Sequence, residues 1–238
     1  MTQLSPANAE RLREAFLSCR DMEGSLGERL SAYAAASRKV FPAYSEAVDR
    51  LVVRLRENGG GENAPKPGEA LPPFLLPDET GALISLQTLI ARGPLVVMFY
   101  RGHWCPYCRL NVSAVVRAQD RIEALGGRIV AIMPETQKYA AQFKSESGAP
   151  FPVLTDLDNG YALSLNLAIW LGTEIRLLLS NVDISGFHGN DAWVLPIPAT
   201  FVVDRDGLVQ ARFVDPDFRE RMEIDDLVAA VRSAAVGS

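Results

Sequence analysis

Apolar residues recur at intervals of three and four positions from about residue 5 to residue 56, a spacing that predicts helices with one buried face. Ser5 and Pro6 mark the first helix start, because a capping hydroxyl precedes a ring already set to the helical dihedral angle. Cys19 falls on the apolar stripe of this helix. A second helical pattern spans residues 25–56, and we expect Pro42 to break it.

The segment ENGGGENAPKPGE, residues 57–69, contains a run of three glycines, two prolines and no large apolar residue. This composition is typical of a linker. We therefore expect two regions: a helical N-terminal extension with its linker over residues 1–62, and a second domain over residues 63–238.

Beyond the linker, short apolar runs alternate with helical patterns. The runs at residues 95–100 and 128–133 are rich in β-branched side chains and are typical of buried central strands. Further expected elements are a hairpin at 74–86, helices at 110–125, 135–147 and 224–235, one helical stretch around 161–179, and strands at 151–155, 199–204 and 208–214. This order predicts an α/β fold in which helices flank a mixed central sheet.

The formal net charge of -5 argues against binding to nucleic acid or to an anionic membrane surface, because either partner would be repelled on average. The start MTQLSPANAERLRE lacks the basic residues and apolar run of a secretory signal, and no later run is long and apolar enough for a membrane helix. Three cysteines are too few for a secreted disulfide framework. We expect a cytoplasmic protein.

Two of these cysteines, Cys105 and Cys108, follow the strand at 95–100 and precede a helix. Cys105 would lie at the helix amino terminus, where unpaired N–H groups and the helix dipole favour a thiolate; in such motifs the pKa falls to about 3.5–7.5. Cys108 lies one turn further on, at about 5–6 Å, within reach of a disulfide. The spacing predicts a redox couple in which Cys108 resolves a mixed disulfide or a sulfenic acid on Cys105.

Two other interpretations of the pair are a metal site and two packed thiols. A zinc or iron–sulfur site needs two further ligands, but the remaining cysteine and histidines are Cys19, His103 and His188, with no matching pair. Covalent haem attachment would require a histidine at position 109, which is Arg109. We expect no metal, flavin or nucleotide.

The residues around the pair also resemble a known family. Trp104-Cys-Pro-Tyr-Cys and the later segment IPATF, with Pro198, are similar to the thioredoxin fold and its cis-proline loop facing the cysteines. PDETGALISLQTLIARGPLVVMFYRGHWCPYC, AIMPE, FPVLTDLDN, LPIPATFVVDRDG and FVDPDFRERME resemble the peroxiredoxin-like branch of the alkyl hydroperoxide reductase and thiol-specific antioxidant family. The resemblance implies reduction of a hydroperoxide by Cys105, with a thioredoxin- or glutathione-type reductant. It also places Trp104 and Pro198 at the substrate.

The chain departs from the family pattern ahead of the nucleophile. Met98 and Gly102 stand where the family carries proline and a hydroxyl residue, and Pro198 stands near the place of a family arginine. Arg101 is the nearest substitute cation, and it could lower the pKa of Cys105 or polarise a peroxide oxygen. The alternative is a surface cation at a strand end.

The remaining candidates have ordinary explanations beside functional ones. Cys19 is expected to be a core thiol, and His103 either assists proton transfer or faces solvent. His188 and Trp193 either line the cleft or pack in the core. Arg219 and Arg221 are expected to be a solvated helix start without a catalytic role.

Three functions remain open at this point. The first is a thiol-dependent peroxidase that uses Cys105 and Cys108, and the second is a thiol-disulfide oxidoreductase acting on protein disulfides. The third is a redox-gated binding protein whose helical leader docks a partner or a second subunit, as in a homodimer.

Overall fold

The computed structural model describes residues 4–236, so the outermost residues of both predicted regions lie outside the described residues. The helices are α1 (Pro6–Asp21), α2 (Leu26–Val40), α3 (Pro42–Glu57), α4 (Leu86–Ile90), α5 (Pro106–Glu123), α6 (Gln137–Ser147), α7 (Gly160–Ser164), α8 (Thr173–Leu178), α9 (Ile184–His188) and α10 (Ile224–Val236). The strands are β1 (Leu75–Pro77), β2 (Leu83–Ser85), β3 (Leu95–Phe99), β4 (Arg128–Met133), β5 (Val153–Thr155), β6 (Ala168–Trp170), β7 (Val194–Pro196), β8 (Ala199–Val203) and β9 (Val209–Val214).

The central sheet has five strands in the order β5-β4-β3-β8-β9. Strand β3 pairs in parallel with β4 and antiparallel with β8, which makes the sheet mixed. All five residues of β3 are buried, and successive side chains point to opposite faces of the sheet. Val96 and Met98 join one hydrophobic cluster, while Val97 and Phe99 join the other. The predicted mixed α/β fold is confirmed.

The helical extension packs on one face of this sheet. Ser25 starts α2 with a capping box, in which its hydroxyl accepts from the Glu28 N–H and the Glu28 carboxylate accepts from the Ser25 N–H. Helix α3 begins at Pro42, which confirms the predicted break. The ring of Tyr33 in α2 meets Tyr107 in α5 edge-on, with centroids 5.2 Å apart. The N-terminal helices and α5 therefore share one hydrophobic cluster.

The predicted linker runs against the sheet domain. Ala64 is fully buried, and the Gly68 N–H donates to the Val209 carbonyl at 2.8 Å. These contacts hold the segment in place, and the border at residue 62 stays a prediction.

The single helical stretch predicted around residues 161–179 is wrong. The structure has α7, then β6, then α8 over this range. Asn166 has φ of 57° and Gly172 has φ of 89°, and neither backbone conformation belongs to a right-handed helix. Strand β6, which lies between these two residues, pairs antiparallel with β7 just before Pro198.

Candidate active site

The end of β3 and the start of α5 position the two cysteines. Cys105 is the N-cap of α5, Pro106 is the first helical residue, and the Arg109 N–H donates to the Cys105 carbonyl at 3.1 Å. This confirms the predicted strand-to-helix junction. Both cysteines are free thiols; Cys105 is 1% exposed and Cys108 is 0% exposed.

The surroundings of the pair make Cys105 the more acidic thiol. Burial by itself would raise the pKa of Cys105, but a hydrogen bond from Cys108 and the positive charges of Arg101 and Arg221 lower it to about 6. Burial, together with the neighbouring Cys105, raises the pKa of Cys108 well above the usual range. Near neutral pH the pair therefore consists of a Cys105 thiolate and a Cys108 thiol.

Arg101 is buried beside Cys105, with only 1% of the residue exposed. Its guanidinium lies 3.7 Å from the centroid of the Phe218 ring and 5.2 Å from that of Trp104. Burial tends to lower the pKa of Arg101, but Cys105, Tyr44 and Cys108 together outweigh burial, and the pKa is raised. The interpretation as a surface cation is wrong, because Phe218 and Trp104 cover the side chain.

Three buried donors of this site lack a hydrogen-bond partner among the described residues. They are Nη2 of Arg101, Nε1 of Trp104 and Nε of Arg221. An unpaired buried donor costs about 1–3 kcal/mol, so such groups call for a ligand or water as acceptor. A peroxide or sulfenate oxygen is an acceptor of this kind.

Gly102 occupies the position of the family's hydroxyl residue, and the backbone explains why. Its φ is 142°, and a Cβ atom there would lie 2.5 Å from Trp104 Nε1 and 2.7 Å from Glu135 Oε1. The indole and the carboxylate thus take the space that a threonine side chain would need.

His103 does not face solvent, so that interpretation is wrong. Its side chain is 12% exposed, its backbone N–H donates to Glu135 Oε2 at 2.8 Å, and its Nδ1 lies 2.8 Å from Glu135 Oε1. The imidazole also stacks on Tyr139 with centroids 5.0 Å apart and meets Phe187 edge-on. A part in proton transfer stays a prediction.

His188 lies against the backbone of Arg101 and is 2% exposed. Burial and the nearby Arg101 charge lower its pKa to about 4, so it is neutral near pH 7. Trp193 is also buried. Both residues therefore agree with core packing.

Arg221 is the residue that sequence reasoning missed. It is 7% exposed, and its Nη2 lies 3.7 Å from Cys108 Sγ. The expectation of a solvated helix start is wrong. The loop carrying Phe218 folds over the cysteines, and the Phe218 carbonyl accepts a hydrogen bond from Arg221 Nη1. Arg219 is half-buried in ion pairs with Asp217 at 2.7 Å and Asp49 at 2.8 Å. No local signal marks Arg221, which is 113 residues from Cys108.

A cavity of about 190 Å³ lies beside Cys105. Trp104 lines it, whereas Pro198 is buried and is not among its lining residues. The peptide bond before Pro198 is trans, so the expected cis-proline is wrong; trans is the lower-energy form of an X–Pro bond. A substrate-binding role for Pro198 stays a prediction. The lining residues are Leu4, Ala9, Leu12, Tyr33, Ser37, Phe41, Tyr44, Arg101, Trp104, Cys105, Pro106, Tyr107, Leu179, Val182 and Phe218.

Other features of the described residues bear on the remaining expectations. Cys19 is buried, and burial raises the pKa of its thiol, in agreement with a core role. Between residues 4 and 236, no group of three or more His, Cys, Asp or Glu side chains could hold a metal ion. No helix in that range has the length and apolar character needed to cross a membrane.

A mixed sheet that leads into a Cys-x-x-Cys helix start defines a thiol oxidoreductase of the thioredoxin-fold class. The AhpC/TSA family model matches residues 67–212. The chain belongs to this family, which confirms the resemblance seen in the sequence, and it is an oxidoreductase.

Relatives of both functional kinds are similar to the chain. The thiol-disulfide oxidoreductase ResA of Bacillus thuringiensis is 24% identical over 157 residues, covering 66% of this chain and 74% of ResA. Peroxiredoxin bcp1 of Schizosaccharomyces pombe is 24% identical over 152 residues, covering 64% of this chain and 69% of bcp1. The crystal structure of peroxidoxin BcpB from Mycobacterium tuberculosis matches with a TM-score of 0.56 at 21% identity, covering 71% of this chain and 97% of that one. This structural likeness shows the fold.

Proposed function

We propose that the protein is a thiol-dependent peroxidase that reduces hydrogen peroxide or organic hydroperoxides. One observation carries the proposal: the buried Cys105 has a pKa of about 6 and, together with Arg101, lines a cavity of about 190 Å³. A thiolate is the nucleophile that peroxide reduction needs, and a cationic group stabilises the charge that develops on oxygen.

In the first step, Cys105 Sγ attacks the distal oxygen of the peroxide. The S–O bond forms as the O–O bond breaks, so sulfur is oxidised and the peroxide is reduced. The proximal oxygen leaves with the electron pair of the O–O bond and takes a proton, giving water or an alcohol. The positive charge of Arg101, which lines the cavity together with Cys105, would stabilise the negative charge on the departing oxygen.

In the second step, Cys108 Sγ attacks the sulfenic sulfur of Cys105. The disulfide forms, and the hydroxyl group leaves as water after taking the Cys108 proton. Two electrons from a thioredoxin- or glutathione-type donor then restore both thiols. A reducing cytoplasm would supply such donors. A homodimer remains a further prediction, which light scattering would test.

The test follows peroxide consumption and insulin-disulfide reduction side by side, with thioredoxin and its reductase, in the wild type, Cys105→Ser and Cys108→Ser. We expect peroxide turnover in the wild type and none in Cys105→Ser. Cys108→Ser should still react once with peroxide. Turnover with thioredoxin should then stop, because no disulfide forms for thioredoxin to reduce. Insulin reduction without peroxide turnover would contradict the peroxidase.

A thiol-disulfide oxidoreductase is the second candidate. The Cys-Pro-Tyr-Cys motif and the likeness to ResA favour it. Burial of the pair does not separate the two enzyme candidates, because a thioredoxin-type reductant must reach the sulfurs just as a protein disulfide must. The redox-gated binding protein is the weakest candidate, since the N-terminal helices bury their apolar stripes against α5.

A further inference from the structure

The N-terminal helices supply much of the wall of the cavity beside Cys105. Leu12 comes from α1, Tyr33 from α2 and Tyr44 from α3, and Phe41 lies between α2 and α3. These residues lie outside the range that matches the family model, which starts at residue 67. This part of the site therefore belongs to the extension and not to the shared fold.

The volume of the cavity limits what it can hold. At about 190 Å³ it is slightly larger than an apolar cavity of about 150 Å³ that binds benzene. It is smaller than the roughly 300 Å³ at which pockets for drug-sized ligands begin. The cavity thus fits a body of about one ring, and neither a long acyl chain nor a folded polypeptide.

The lining of the cavity combines a thiol and a cationic group with a mostly apolar surface. Cys105 and Arg101 are the reactive and the cationic residues that line the cavity. Most of the other lining side chains are aliphatic or aromatic, including Leu179, Val182 and Phe218. An occupant that matches this wall has an oxygen acceptor at one end and an apolar body at the other.

We propose that the N-terminal helices form a specificity pocket that selects small organic hydroperoxides with an apolar body of about one ring over hydrogen peroxide. This inference rests on the proposed peroxidase function. Leu12, Tyr33 and Phe41 would contact the body of the substrate, while its peroxide group lies between Cys105 and Arg101. Cys105 Sγ takes the distal oxygen, the O–O bond breaks, and the organic part leaves as an alcohol after its oxygen gains a proton.

The kinetic test measures oxidation of the reduced full-length chain by cumene hydroperoxide and by hydrogen peroxide in stopped flow. Burial of a ring in the pocket should make the aromatic peroxide at least about tenfold faster. Leu12→Trp fills the pocket from α1 and should lower the ratio of the two rate constants about fivefold or more. Arg11→Trp is the matched control, because Arg11 is exposed next to Leu12 and does not line the cavity.

A second filling variant, Val182→Trp, places the bulk on a different segment and should act in the same direction. It keeps the test decisive if Leu12→Trp does not fold, as judged by circular dichroism. An unchanged ratio in a folded filling variant would overturn the pocket. No Cys105-dependent turnover with either peroxide would overturn the proposed function itself, whereas turnover without preference would overturn only the pocket.

Binding can be measured without turnover. The non-reactive alcohol 2-phenyl-2-propanol has the body of cumene hydroperoxide, and it should slow the alkylation of Cys105 by iodoacetamide several-fold in the wild type. Leu12→Trp should abolish this protection and Arg11→Trp should retain it. Equal alkylation rates with and without the alcohol in the wild type would overturn the pocket.

Discussion

The pKa of Cys105 depends on one cation that is close in sequence and one that is remote. Arg221 lies 3.7 Å from the Cys108 sulfur, and Arg101 is buried under Phe218 and Trp104. Both guanidinium groups favour the thiolate in surroundings where burial alone would disfavour it.

The pKa of Cys105 predicts the pH dependence of the reaction. A thiol with a pKa of about 6 is deprotonated above that pH, so the rate of oxidation by hydroperoxide should rise with pH, reach half its maximum near pH 6 and level off above pH 7. Ultraviolet absorbance of the thiolate, with Cys105→Ser as the reference, measures the same midpoint. A midpoint near pH 8.5, the ordinary value, would contradict the site described above.

Arg101→Gln tests the cation nearest to the nucleophile. Loss of the charge should move the pKa of Cys105 upward and slow its oxidation at pH 6.5 by about tenfold or more. Arg92→Gln removes an exposed arginine and should leave the pH profile unchanged. An Arg101→Gln profile that coincides with that of the wild type would show that Arg101 only fills space.

At the scale of elements, the junction between β3 and α5 decides where the cysteines lie. The strand ends at Phe99, and the backbone returns through Gly102 so that Cys105 can cap the helix. The Cys105 N–H donates to the Gly102 carbonyl at 3.2 Å, which closes this turn. The backbone conformation at position 102 therefore requires glycine, and for this reason the position carries no hydroxyl group.

Gly102→Thr should accordingly fail to restore the family pattern. The positive φ and the contacts with Trp104 and Glu135 are expected to reduce the free energy of unfolding by about 1–3 kcal/mol and to lower peroxide turnover. Chemical denaturation followed by circular dichroism measures the first effect. Gly160→Ala is the matched control. Gly160 has a helical φ of -62°, and an added Cβ would lie 3.9 Å from Asp156 Oδ1, an ordinary van der Waals contact. A Gly102→Thr protein as stable as the wild type would refute this account.

At the scale of the whole molecule, the helical extension and the sheet domain form one packed unit. A single hydrophobic cluster contains Leu30 and Tyr33 from α2 together with Val96, Cys105 and Cys108. Arg219 adds an ion pair to Asp49 in α3. A structure of this kind should unfold in one transition although the linker composition indicates two regions.

Leu30→Ala measures this coupling. Leu30 is 3% exposed, so the cavity left behind should cost about 2–5 kcal/mol of stability. The three tryptophans, Trp104, Trp170 and Trp193, all lie in the sheet domain, so their fluorescence follows the unfolding of that domain. We expect the fluorescence transition in denaturant to shift together with the circular dichroism transition. Val53→Ala, at an exposed position of α3, should shift neither. A fluorescence transition that stays in place would mean two independent units.

Local sequence determined those features that depend on neighbours along the chain. The buried run of β3, the N-cap position of Cys105, the break at Pro42 and the proximity of Cys105 to Cys108 follow from periodicity and from helix-terminus chemistry. The family followed from several short motifs in order. The stretch around residues 161–179 misled this reasoning, because single residues with positive φ interrupt an otherwise helical pattern.

Only the tertiary structure decided which side chains share the space around the sulfur. Arg221 and Tyr33 are far from Cys105 in sequence, and the fold buries both within reach of the site. The burial of Arg101 and the hydrogen bond of His103 with Glu135 likewise depend on which elements pack over them. Charge and burial act through distance in space, so the order of residues alone could indicate a lowered pKa for Cys105 but not that Arg221 contributes to it, nor which residues line the cavity.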